Sequence, residues 1–272
     1  MSQHRAVTPA GSLVKKKRRA GSSAARAAAL QTELDRERRS GRIAGVIALG
    51  SVACWLGALM FANGAGGAST QVGRGEGLGD PAPLSSRLQL LDFHAGAGDQ
   101  AIATALRCAG LLLSAAFGVY LYRLIRARKP SVSRRLPWIA VAGAALVAGS
   151  TVFGYFALGH VATEFVSSGA RTSARATHLL DSAGAVKGAA GFDLASRAVF
   201  AVWIALTSLE MMRVGLLDKF LGYWGLAACG SIVLLPIGDA MFVAWLGSIG
   251  IMALGYWPGG RTEGWRRIMK ST

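Results

Sequence analysis

The sequence predicts an all-α polytopic membrane protein, a bundle of six transmembrane helices with both termini in the cytoplasm. Three observations predict it. Six apolar stretches of about 18–22 residues are each long enough to cross a hydrocarbon core about 30 Å thick at about 1.5 Å per residue. Apolar residues make up 52% of the 272-residue chain and charged residues 16%, below the roughly 25% charged residues of a soluble domain. The 30 basic residues also fall almost entirely on alternate connections: 23 lie on one set, 5 (Arg74, Arg87, Arg171, Arg175, Lys187) on the other, and Arg107 and Arg197 inside apolar stretches. Cytoplasmic loops collect Lys and Arg, which places the richer set and both termini inside.

The elements follow in order. Residues 1–41 read as a basic, largely disordered tail. Its block Lys15, Lys16, Lys17, Arg18 and Arg19 has no apolar periodicity, and such a run repels itself and stays solvated. Residues 22–40 are Ala-rich with few helix breakers, which favours a short helix there. A cleaved signal peptide fits poorly: the basic region before Ile43 is too long, and the apolar run to Ala62 exceeds the usual h-region. The membrane domain covers residues 42–258, with spans at about 43–63, 101–123, 137–158, 192–212, 219–236 and 239–257. Residues 259–272 form a second short basic tail.

Between the first two spans, Gly64 to Gly79 is Gly-rich and flexible. The following PLSSRLQLLDFHAG carries Leu84, Leu88 and Leu91 at helical spacing, which predicts a short helix on the outer surface. Pro130 and Pro137 bracket the basic turn after the second span. The segment from about 159 to 191, rich in Ala, Ser and Gly, reads as an outer loop. The last two spans form a tight hairpin around Pro236, Gly238 and Asp239, the aspartate serving as a cap of the sixth helix. Trp138, Tyr223, Trp224, Tyr256 and Trp257 fall near span boundaries, where amphipathic rings settle. In the third span, Ala145/Gly149 and Ser150/Gly154 stand four apart, a spacing that lets helices approach closely, within one bundle or between copies in an oligomer.

The strings LYRLIRARKP, RVGLLDKFLGYWG and GYWPGGRTEGW resemble a domain-of-unknown-function group of uncharacterised multi-pass membrane proteins common in actinobacteria. The resemblance covers roughly residues 42–265. It implies the six-helix topology and a bacterial plasma-membrane location, and carries over no activity.

The polar residues within spans are the candidates for chemistry. Arg107 lies about two turns into the second span, and Arg197 lies at similar depth in the fourth, four residues after Asp193 on the same helical face. Ionisable groups at such positions usually face the bundle interior, so Arg107, Asp193 and Arg197 form the candidate site. Two readings stand open: a shared outward cavity whose positive field suits an anionic headgroup or small anion, or arginines that snorkel to the interface. Arg107 to Arg123 and Arg197 to Arg213 are both 16 apart, which raises a duplicated helical hairpin, but little else aligns. Glu210 and Arg213 read as a surface ion pair.

Cys54, Cys108 and Cys229 each occupy a different span, with neither disulfide nor metal-binding spacing. His94, His160 and His178 fall on outer segments; Glu164 follows His160 by four, yet nothing like HExxH appears, so no metal is expected. No P-loop, nucleophile elbow or dinucleotide fingerprint is present, and no cofactor follows; GRGEG sits in the Gly-rich loop with no helix after it. The net charge of +16 is distributed for topology, so anionic lipid at Lys15–Arg19, and not nucleic acid, is the expected partner. The function classes that remain are a structural, regulatory or partner-binding membrane protein, a small-molecule or anion transporter, and, lacking a catalytic constellation, least of all an enzyme.

Overall fold

The computed structural model describes residues 39–62, 82–169, 171–234 and 238–256. The Lys15–Arg19 block, the Gly64–Gly79 segment and the tail from residue 259 lie outside the described residues, as do Pro236 and Trp257. Among the described residues the fold is all-helical. It comprises α1 (Arg39–Ala62), α2 (Ala82–Ala95), α3 (Ala97–Arg128), α4 (Leu136–Ser167), α5 (Ser173–Ser182), α6 (Gly184–Arg213), α7 (Lys219–Leu234) and α8 (Gly238–Leu254). Four of these, α1, α3, α4 and α6, are long and apolar enough to cross a membrane; α7 and α8 are apolar but have only 16 and 17 residues.

The helix boundaries have local causes. Pro137 sits in the first turn of α4, where a missing N–H leaves no bond unmade. Gly215 takes φ +69° after α6, and Leu216 N–H returns to Met211 O at 2.9 Å, closing the helix end in the left-handed manner open to glycine.

Six helices close into a ring. Successive neighbours α3–α4, α4–α6, α6–α7 and α7–α8 pack directly. Helix α1 fills the remaining gap. Ser51 Oγ lies 2.8 Å from Ser114 Oγ and donates to Gly110 O at 2.7 Å, which fixes α1 on α3. On its other side Trp55 meets Phe242 edge-on at 6.2 Å, and a Cβ added at Gly250 would lie 2.9 Å from Ala48 Cβ. The ring is filled, not open: Phe117, Phe200, Trp203, Phe242 and Trp245 are 0–1% exposed.

Of the four small residues that the spacing picks out in α4, only Ser150 faces the bundle. Ala145 and Gly149 are exposed and Gly154 has open space around it, whereas a Cβ at Gly143 would stand 3.0 Å from Phe200 Cα. The buried stripe is Ala140, Gly143, Ala144, Val147 and Ser150. A four-residue period occurs on every face of an Ala/Gly-rich helix, so period alone does not give the phase.

The segment expected as an outer loop is mostly helix. Helix α4 continues to Ser167, α5 spans Ser173–Ser182 and α6 begins at Gly184. Alanine is the strongest helix former and the segment has no proline. Its apolar residues also have a partner: Leu158, Val161, Phe165, Ala176 and Leu179 pack with Leu90 and Phe93 of α2, making a second core apart from the ring's. The predicted surface helix is therefore present as α2, docked on α4 and α5. His94, His160 and His178, expected on flexible segments, stand exposed on α2, α4 and α5. We call the end with α2 and α5 the capped end. At the opposite, basic end Trp138, Phe220, Tyr223 and Tyr256 are 63–79% exposed, while Trp224 turns inward and donates to Met241 O at 3.3 Å.

Candidate functional site

Four ionised side chains of α3, α6 and α8 form one linked cluster toward the capped end. Helix α6 brings Asp193 and Arg197 to one face, and Arg197 Nε donates to Asp193 Oδ2 at 2.6 Å. Arg197 NH1 donates to Asp239 Oδ1 of α8 at 2.8 Å, and Arg107 NH2 of α3 donates to the other oxygen, Asp239 Oδ2. One carboxylate thus ties α8 to both α3 and α6. Helix α4 adds Ser150, whose Oγ is 3.1 Å from Asp193 Oδ1 and 3.2 Å from Ser196 Oγ. The Arg107 guanidinium lies over the Trp55 ring, 5.0 Å from its centroid. Five of the ring's six helices therefore contribute to the cluster.

The cluster is graded in burial. Arg197 and Asp239 side chains are 11% exposed, Arg107 29% and Asp193 31%. Two positive and two negative groups sum to zero, as burial at this depth demands, because an unpaired ion there is strongly penalised. Of the open sequence readings, neither fits as stated. The arginines do not merely reach for an interface, and the cluster has no net positive field.

The structure brings together all three predicted residues, Arg107, Asp193 and Arg197. It adds Asp239, which the sequence reading assigned to helix capping. Asp239 does sit in the first turn of α8, where negative charge is favoured, but its carboxylate is taken up by the two arginines. Charge balance was the available signal: two arginines in spans and a single nearby aspartate leave one positive charge unmatched.

A second cluster occupies the basic end. Glu210 accepts from Arg213 NH1 at 2.7 Å, as the three-residue spacing suggested, and also from Lys129 Nζ at 2.9 Å. Lys129 belongs to the turn between α3 and α4, so this pair too reaches across the fold. Cys54, Cys108 and Cys229 are free, partly buried thiols. Among the described residues no group of three His, Cys, Asp or Glu side chains is placed to hold a metal.

Residues 82–257 match the family described as Domain of unknown function (DUF4386). The chain belongs to this family. The DUF4386 match runs from α2 through α8 and contains all four ionised cluster residues; α1 and Trp55 lie outside it. No curated protein and no solved structure matches the chain. With four helices able to cross a bilayer, the chain is an integral membrane protein that carries a domain of unknown function.

Proposed function

We propose that this is a six-span protein of a bacterial plasma membrane with a structural, regulatory or partner-binding role, its termini cytoplasmic and its capped end external. Residues 42–258 form the membrane domain, between basic tails at 1–41 and 259–272. The observation that carries the role is the filled ring: Phe200, Trp203, Phe242 and Trp245 interlock at 0–1% exposure between the two charged clusters, leaving side chains where a solute path would run. The orientation rests on the basic asymmetry of the connections. The 16 and 17 residues of α7 and α8 cover about 24–26 Å, short of about 30 Å but within what local thinning of the bilayer accommodates.

Three experiments test this reading. Reporter fusions should place Gly75 and Arg175 outside and Pro130 inside; an external Pro130 reverses the assignment. Reconstituted protein should pass chloride, acetate and phosphate no faster than empty liposomes. Flux that is lost in Arg107→Gln would instead establish anion transport. The Lys15–Arg19 block binds anionic headgroups in this reading, at about 1 kcal/mol per basic residue near the surface. The tail of the whole protein should then be cut by trypsin more slowly in phosphatidylglycerol than in phosphatidylcholine nanodiscs, and the difference should vanish at high salt.

A further inference from the structure

Helices α4 and α6 pack antiparallel, with Gly143 of α4 against Phe200 of α6 and Ser150 Oγ 3.1 Å from Asp193 Oδ1. Their outward faces meet along a furrow. On α4 it follows Gly149, Ala142 and Arg135, and on α6 Phe192, Val199, Leu206 and Arg213. Each row advances by seven residues, close to two turns, so its members share one face. The rows adjoin at Gly149, where an added Cβ would lie 3.9 Å from the Phe192 ring. Exposed Gly149 and Ala142 keep the α4 side low, while Val199 and Leu206 stand 36% and 38% exposed on the α6 side. From Gly149 to Arg135 the furrow runs about 21 Å, longer than the roughly 15 Å of half a hydrocarbon core. Both helices are among the four able to cross a bilayer, so an acyl chain is what this furrow meets.

The furrow ends in positive charge. Counted from the Gly143–Phe200 contact, Arg213 lies about 8 Å beyond Arg135 along the axis. Lys129 and Arg134 stand at the same end. Against these four basic residues is set the carboxylate of Glu210, which accepts from Lys129 and Arg213. Asp218, in the turn after α6, accepts from the Leu221 N–H at 2.9 Å and is followed by Lys219. The surplus is therefore positive, unlike the balanced cluster at the capped end. It is also accessible: Arg135 is exposed, and the Lys129 and Arg213 side chains are 38% and 62% exposed. Trp138, one turn into α4 from Arg135, is 74% exposed, at the level where indole rings settle among headgroups.

We propose that the α4–α6 furrow binds one anionic phospholipid of the cytoplasmic leaflet, its phosphate between Arg135 and Arg213 and an acyl chain along Leu206 and Val199. A surplus of exposed positive charge at a membrane surface favours an anionic headgroup over a zwitterionic one with the same chains. An acidic protein segment would match the charge and leave the furrow unused. The leaflet rests on the cytoplasmic placement of the basic end, which the Pro130 reporter tests separately; binding in detergent does not depend on it.

The test is native mass spectrometry of the full chain in detergent with phosphatidylglycerol and phosphatidylcholine added in competition. Wild-type protein should retain phosphatidylglycerol first. Arg135→Gln and Arg213→Gln should each weaken that retention about fivefold, and together about 25-fold, as expected for about 1 kcal/mol per basic residue at the headgroups. Arg135→Lys with Arg213→Lys keeps both charges and should hold the lipid like wild type, as should Arg171→Gln at the capped end. The preference for phosphatidylglycerol in wild type should shrink as salt rises, which tests the charge without any variant. Equal retention of the two lipids by wild type, or of phosphatidylglycerol by wild type and the double glutamine variant, overturns the proposal. So does a preference that salt leaves unchanged, or displacement of the lipid by inorganic phosphate. Loss of the lipid on placing glutamine at Lys15–Arg19, with retention in the double variant, would assign it to the tail and overturn the furrow equally.

Discussion

The two ends of α6 carry two ion-pair clusters that look alike in a contact diagram and differ in almost everything physical. Toward the capped end, Asp193 and Arg197 join Arg107 and Asp239, with the central pair 11% exposed. At the basic end, Glu210, itself 18% exposed, joins Lys129 and Arg213, whose side chains are 38% and 62% exposed. The first is neutral and links α3, α6 and α8; the second carries a net positive charge and borders water. A charge already in water gains little from a partner, whereas one taken out of water is held only while its partner remains. The number of bonds is therefore a poor guide to what each cluster contributes.

Single substitutions should separate the two. The largest effect is expected for Asp239→Asn, which leaves both Arg107 and Arg197 short of a counter-charge; a loss of about 3 kcal/mol is expected, as when a buried pair is broken. Reversible unfolding in mixed micelles measures it. The double change Asp239→Leu with Arg107→Leu should recover part of that loss, because it removes a charge of each sign together. If Asp239→Asn is neutral, the capped-end cluster is solvated and the comparison fails.

Next comes the contact that seats α6 against α4. Gly143→Val puts atoms where Phe200 Cα already stands 3.0 Å from a Cβ, and overpacking of this kind costs about 1–3 kcal/mol. The equivalent change at exposed Ala145 should stay within about 0.5 kcal/mol, so the pair reports directly on which face of α4 is packed. Glu210→Gln is expected to lose less, about 0.2–1 kcal/mol. Smallest is the effect of salt: raising it should reduce the difference between wild type and Glu210→Gln while leaving the Asp239→Asn difference in place. Equal salt sensitivity at the two ends would mean equal exposure.

The helices were legible in the sequence where one local property decides them. Each of the six apolar stretches is a helix, because hydropathy over twenty residues does not depend on what lies across the fold. The Leu84–Leu91 periodicity likewise gave α2. What failed needed information from elsewhere in the chain. Ala-rich residues 159–191 read as a loop until the apolar side chains of α2 are set against them. The small-residue period in α4 was visible but its phase was not, since Gly143 and Gly149 differ only in facing Phe200 or open space. Asp193 and Arg197 are four apart and pair locally, so spacing sufficed. Asp239 is 132 residues from Arg107, and no local pattern announces a partner at that distance.

The ring has a seam, and its position matters for how the molecule is made. Helix α1 leaves the ribosome first and α8 last among the six, yet they are neighbours, Gly250 against Ala48 and Phe242 against Trp55. Until α8 arrives, α1 shows its Ala44–Ala48–Trp55 face to lipid or to an assisting protein, and Arg107 and Arg197 wait for the carboxylate they share. Closure of the ring thus needs the last of the six helices, which brings the apolar seam and Asp239 into place together. A chain stopped before Gly238 would retain both arginines of the cluster and lack Asp239, the carboxylate they share.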